Sequence, residues 1–146
     1  MLFHVNSPKF RIIGKNQIKN WLKITIVEEG FCVGNLNIIF VTDDELMEIN
    51  KKFLEHDYYT DIITFNYKEK KKISGDLFIS IERVMENAIK FKSSVTNEFL
   101  RVIIHGVLHI IGYNDKTYNE KKEIRNKENF YLGKISNERI GISNGI

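Results

Sequence analysis

The chain has 146 residues, 42% of them hydrophobic and 28% charged, with a formal net charge of +3. That suits one domain with a core of its own and argues against a disordered chain. No apolar run reaches the ~18–20 residues of a membrane span, the first residues lack the basic-then-apolar layout of a signal peptide, and the single Cys32 cannot form an internal disulfide, so a reducing, cytoplasmic setting is expected. Cys32 itself reads as a small buried hydrophobe.

In chain order, Leu2–Val5 is predicted as a short strand. Residues 16–28 carry Ile18, Trp21, Leu22 and Ile26 at helical spacing. Leu36, Ile38 and Phe40 alternate with Asn35, Asn37 and Ile39, as on a strand. Thr42-Asp43-Asp44-Glu45 has the form of a capping box, opening a helix through Met47, Ile49, Asn50 and Phe53. Residues 62–67 and 74–80 read as two strands joined by the lysine-rich loop at 68–72, too short for a crossover helix and so antiparallel. Ser80 is placed to cap a helix bearing Val84, Met85, Ala88 and Phe91. Thr96 or a neighbour opens the next helix, and residues 119–132 form the last.

These elements predict an α+β fold: a single compact domain, residues 1–132, with a small mixed sheet of about four strands packed with helices around a central helix. Residues 133–146 show no clear period and are expected as a loosely ordered C-terminal tail. No internal repeat or second domain is visible.

The central helix carries the chemistry. His105 and His109 are four residues apart, so both imidazoles project from one helical face, a spacing suited to a divalent metal. Gly112 stops the helix, and the turn can return Asp115 to the same spot. Two histidines and one carboxylate leave a coordination position open, the mark of a catalytic rather than a structural zinc site. The plain alternative is a pair of hydrogen-bonded histidines. The flanks Val102, Ile103, Ile104, Val107, Leu108, Ile110 and Ile111 predict a buried helix, in which imidazole nitrogens need partners, and one metal serves both rings. Gly106 stands where His-Glu-x-x-His peptidases carry their glutamate base, which disfavours peptide hydrolysis and suggests that another backbone or a substrate comes close. A two-His, one-carboxylate set also occurs in non-haem iron oxygenases, but no residues here suggest a cosubstrate pocket.

The run His105-Gly106-Val107-Leu108-His109-Ile110-Ile111-Gly112-Tyr113 resembles the signature of the YbeY family of endoribonucleases, ribosomal RNA maturation factors. Thr60-Asp61-Ile62-Ile63-Thr64-Phe65, Gly75-Asp76-Leu77-Phe78-Ile79-Ser80, Asn50 with Phe53, and Asn97-Glu98-Phe99-Leu100-Arg101 resemble further family segments in the same order, spanning about residues 36–132. The resemblance implies a metal-dependent endoribonuclease that cuts single-stranded regions of precursor ribosomal RNA, one Zn2+ per chain or another divalent ion, and ribosomal subunit proteins as further partners. A zincin-like metallopeptidase and a non-catalytic ribosome-associated metal-binding factor are the alternatives. The family's usual ending, Gly-Tyr-Asp-His, supplies a third histidine; here Gly112-Tyr113-Asn114-Asp115 puts a carboxylate in that position. The swap adds negative charge and a harder ligand, which loosens selectivity toward manganese, nickel or iron. Near Leu54 many members carry an arginine thought to act on RNA, a role leucine cannot fill. The catalytic base is not identified.

Three further groups have a structural and a functional reading, and for the two lysine-rich groups the structural one is favoured over RNA contact. Asp61 and Asp76 sit in or beside apolar strands, where Asp is disfavoured, and serve either strand-end chemistry or the support of a metal-bound histidine; Thr60 and Thr64 share the question. The lysines at 68–72 read as guards of a sheet edge. Lys121, Lys122, Arg125 and Lys127 interleave with Glu120, Glu123 and Glu128, as on a solvated helix face.

Overall fold

The computed structural model describes residues 1–6, 10–54 and 60–144. In chain order the elements are β1 (Leu2–Val5), β2 (Phe10–Ile13), α1 (Lys15–Glu28), β3 (Cys32–Val41), α2 (Asp43–Leu54), β4 (Ile62–Asn66), β5 (Lys72–Ser80), α3 (Ile81–Lys90), α4 (Val95–Ile111), α5 (Tyr118–Leu132) and β6 (Gly141–Asn144). The main sheet has the order β1-β3-β5-β4. β1 and β5 flank β3 in parallel, and β4 closes one edge antiparallel to β5, so the sheet is mixed as expected.

Alternation along the strands divides the interior between the two faces of the sheet. Leu36, Ile38 and Phe40 of β3, with Leu77 and Ile79 of β5, meet α1 and α4 in the larger core. Val41 and Ile63 pack with Leu46 of α2 on the other face, with Ile39, Phe65 and Phe78 against them. α4 is buried over most of its surface, with Phe99, Leu100, Ile103, Ile104, Val107 and Leu108 wholly enclosed. A helix that is apolar on nearly every side has to be surrounded in this way.

The capping chemistry sets the helix starts. Thr42 Oγ1 accepts from Glu45 N–H at 3.1 Å while Glu45 Oε1 accepts from Thr42 N–H at 3.4 Å. Ser80 Oγ accepts from Arg83 N–H at 3.1 Å, as its position before the third helix predicts. Ser94, just before the expected start, caps α4 by accepting from Asn97 N–H at 3.0 Å. α5 opens one residue earlier than its periodicity suggests, on a capping box of Thr117 and Glu120.

The readings of the tail and of Cys32 fail. Gly141–Asn144, assigned to a loose tail, forms β6 and pairs antiparallel with β2, another strand the alternation did not reveal; residues 145–146 lie outside the described part. Four-residue strands carry too little periodicity to read, and it is the ladder with a distant partner that defines them. Cys32 is exposed, because it opens β3 at the sheet margin.

Gly106 faces the sheet. A Cβ there would stand 2.6 Å from Ile62 Cδ1 and 3.0 Å from Leu77 Cδ2, so a larger residue would have to displace the ends of these side chains. The close neighbours are sheet side chains, not the backbone or substrate that its place in the helix suggested. Gly106→Val is expected to cost about 1–3 kcal/mol through overpacking, measured as a lower denaturant midpoint; an unchanged midpoint would show that Ile62 and Leu77 give way freely.

Candidate metal centre

His105 and His109 project from the last two turns of α4 into a cleft of about 260 Å³, lined also by Thr60, Asp61, Ile62, Thr64 and Asp115. Gly112 ends the helix with φ +132°, a conformation open to glycine and strained for other residues. Its N–H, and that of Tyr113, close back on Leu108 O at 3.1 and 3.0 Å. The chain reverses there, and the Thr117 capping box fixes it again within five residues. Asp115 sits between these two fixed points and faces the imidazoles.

The donor atoms converge. His105 Nε2 and His109 Nε2 are 2.9 Å apart, and Asp115 Oδ2 lies 3.4 Å from the first and 3.3 Å from the second. Ligand atoms at ~2.0–2.2 Å from an ion stand about 3.3–3.6 Å apart on a tetrahedral face and about 2.8–3.1 Å apart on an octahedral one. The observed triangle falls within that span. Two imidazole nitrogens and a carboxylate oxygen directed at one point also repel one another unless a proton or cation lies between them. Donor chemistry and spacing therefore fit a divalent ion held by His105, His109 and Asp115, a group whose ligating atoms all lie within 4.8 Å of one another.

Behind His105 stands a residue that the sequence reading placed on a solvated face. Glu128 is buried, with a side chain only 4% exposed, and its Oε2 is 2.6 Å from His105 Nδ1. That bond directs the other nitrogen, Nε2, toward the cleft. Arg101 donates from Nη1 to Glu128 Oε1 at 2.9 Å and from Nη2 to Asn129 Oδ1 at 2.8 Å, so the carboxylate is itself held in place. The signal was present in the chain: Ile124, Glu128 and Tyr131 lie on one helical stripe and all three are buried.

Burial alone would disfavour charge on His105, but the hydrogen bond and charge of Glu128, with Asp115 and Asp61 nearby, outweigh it and hold the imidazole above its ordinary pKa. Burial pushes the Glu128 carboxyl up, and His105 and Arg101 together pull it below the usual carboxylate range. The site is thus electronegative, a field that draws a proton or a metal cation to the same nitrogens.

The strand aspartates separate. Asp61, at the entry to β4, lines the cleft, and burial raises its carboxyl pKa against the opposing charge of His105. Asp76 lies outside the cleft: it accepts from Asn37 Nδ2 at 2.9 Å and from the Tyr67 hydroxyl, tying β3 and the β4–β5 turn together on the sheet. Thr60 and Thr64 both line the cleft, and the Thr60 hydroxyl also has a local bond to Ile62 O at 3.5 Å. Leu54 closes α2, and residues 55–59 after it lie outside the described part.

A second groove, of about 390 Å³, adjoins the cleft and shares Asp61, His105 and Asp115 with it. Arg101, Lys121 and Arg125 line it, so two of the cations assigned to a plain solvated face stand beside the triad. Lys127, on the other side of α5, pairs with Glu29 at 3.2 Å as a structural cation would. A larger hollow of about 820 Å³ between α1 and the end of α5 gathers no comparable set of ionisable groups.

Glu29, at the end of α1, accepts from Tyr113 Oη at 2.6 Å, from Tyr131 Oη and from Lys127 Nζ. These bonds anchor Tyr113, two residues before Asp115. Burial pushes the Glu29 carboxyl up, but the two hydroxyls and the ammonium bring it below its ordinary value.

The sequence profile of the family described as Endoribonuclease YbeY matches residues 5–136. The chain is 44% identical to an Endoribonuclease YbeY of Cytophaga hutchinsonii over 133 residues, covering 90% of this chain and 93% of that one. It is 43% identical to the Endoribonuclease YbeY of Phocaeicola vulgatus, covering 92% and 97%. The solution structure of a Thermotoga maritima protein superposes with a TM-score of 0.65 at 30% identity, covering 90% of this chain and 87% of that one. The α+β fold and the matching sequence define one class, and the chain belongs to the YbeY family of endoribonucleases.

Two outcomes follow from the supporting contacts. Glu128→Gln is expected to weaken metal binding about 10- to 100-fold by loosening His105, read by titration with zinc; an unchanged affinity would show that the bond does not orient the ring. A carboxyl depressed by folding contributes stability that is present above its unfolded pKa and lost as pH falls through the folded value. Glu29→Gln should therefore flatten the rise in stability from acid pH toward pH 5, measured by denaturant melts across that range; wild-type and variant curves of the same slope would refute it.

Proposed function

We propose that the protein is a metal-dependent endoribonuclease that cuts single-stranded regions of precursor ribosomal RNA in the cytoplasm, with one zinc ion held by His105, His109 and Asp115. Membership of the endoribonuclease family supports the RNA substrate and the strand cleavage. The convergence of three donor atoms into an open cleft carries the metal reading. No helix among the described residues is long and apolar enough to cross a membrane.

A divalent ion in this position supplies a Lewis acid for a phosphoryl oxygen and lowers the pKa of water. The chain does the rest. Glu128 fixes the tautomer and direction of His105, and the Glu29–Tyr113 bond braces the turn that presents Asp115. Asp61, with a carboxyl that burial holds above its ordinary pKa, stands in the cleft where a proton must be taken up or passed on. Arg125 and Lys121 offer the phosphate backbone the positive charge that Leu54 cannot. Gly106 supplies no carboxylate after the first histidine, which sets the site apart from His-Glu-x-x-His peptidases.

His109→Ala is expected to lose bound metal and cleavage of single-stranded RNA together. Metal content measured on the purified variant decides it: full occupancy would defeat the assignment.

A further inference from the structure

The groove beside the triad has one wall that nothing above employs. Phe91 caps the C-terminal end of α3 and is 60% exposed. Isolated exposed apolar side chains are common and need no explanation. Ile89 and Tyr118 are more exposed still, but neither lines the groove that reaches His105 and Asp115. Phe91 does, with Arg101, Lys121 and Arg125 in the same groove. Lys90 Nζ lies 5.5 Å from the centre of the Phe91 ring, adding another cation at this end.

The charges constrain what enters. Asp61, Glu98, Asp115 and Glu128 oppose Arg101, Lys121 and Arg125, so the lining carries a slight negative excess that a divalent ion at the triad reverses. Arg101 is committed to Glu128 and Asn129, while Arg125 meets Glu128 only at 3.5 Å and has a side chain 62% exposed. A metal-loaded groove with an exposed aromatic ring and two cations reaching into solvent has the chemistry of a single-stranded nucleic-acid subsite, where bases stack on rings and cations follow the backbone.

We propose that Phe91 is a stacking platform for an unpaired base next to the scissile phosphate, with Arg125 and Lys121 holding the adjoining backbone. The proposal rests on the nuclease reading and deepens it: Phe91 becomes a specificity-determining residue. A base can lie flat on an exposed ring only if it is swung out of a helix, so a duplex cannot use this subsite and a single strand can. The preference for unpaired RNA then originates in the binding step, separate from the triad.

The test uses metal-loaded full-length protein and a 12-nucleotide single-stranded RNA carrying 2-aminopurine beside the cut position, compared with the matching duplex. Wild-type protein should quench the 2-aminopurine fluorescence on binding. Phe91→Ala should abolish the quenching and raise KM for the single strand about 5- to 100-fold, with the loss falling in KM rather than kcat, metal content unchanged, and the preference for single strand over duplex reduced. Phe91→Trp should retain quenching and KM, and lowering KM below wild type would count equally in favour. The proposal is overturned if the Ala variant matches wild type in KM and quenching, if Trp and Ala lose equally, or if the loss lies in kcat alone. Wild-type protein that neither binds nor cuts the single strand would bring down the nuclease reading, and this proposal with it; wild-type cleavage alongside an unaltered Phe91→Ala variant would bring down this proposal alone.

Discussion

The site depends on a part-buried hydrogen bond between two helices, from His105 to the Glu128 carboxylate. α4 is enclosed by the sheet and its neighbouring helices almost throughout, so an imidazole near its end has no water on the core side to satisfy Nδ1. A carboxylate supplied by α5 solves that problem, and the carboxylate in turn needs the guanidinium of Arg101, one turn back on α4. Each buried polar group is paired with the next, and among the described residues no buried side-chain nitrogen or oxygen lacks a partner. The chain of pairings ends where His105 Nε2 meets the cleft, so requirements of the core determine how the ligand face is presented.

The third donor is held by a different means. Asp115 lies on a short connection whose ends are set by a glycine stop and a capping box, and whose middle is tied to α1 through Tyr113 and Glu29. A carboxylate side chain is shorter than an imidazole, so this backbone has to pass close to the histidines. The ties around Glu29 give that approach a mechanical basis. The same arrangement leaves the cleft open on one side, toward the groove with its mixture of carboxylates and cations, where the balance of charge turns on whether a divalent ion is present.

Much of this organisation could be read from residue order. The His105–His109 spacing, the Gly112 stop, the capping box at Thr42 and the cap at Ser80 are local features, each complete within a few residues. The antiparallel β4–β5 pair followed from loop length alone. Glu128 was misread because its alternation with lysines has the appearance of a surface, although its spacing from Ile124 and Tyr131 places it on the buried stripe. Asp61 and Asp76 are alike in local sequence, yet the first, just before β4, lines the cleft, and the second, within β5, joins strands through Asn37 and Tyr67.

The amino-acid sequence by itself determined the helices and main-sheet strands, the paired-histidine spacing on α4 and the family to which the chain belongs, because caps, periodicity and motif are encoded over a few neighbouring residues. Tertiary structure alone decided the partner of His105, the pairing of β2 with β6, the exposure of Cys32 and the meeting of Phe91 with Arg125 in one groove. Those facts join residues as far apart as Phe10 and Asn144, and contacts of that range arise only when packing brings the elements together.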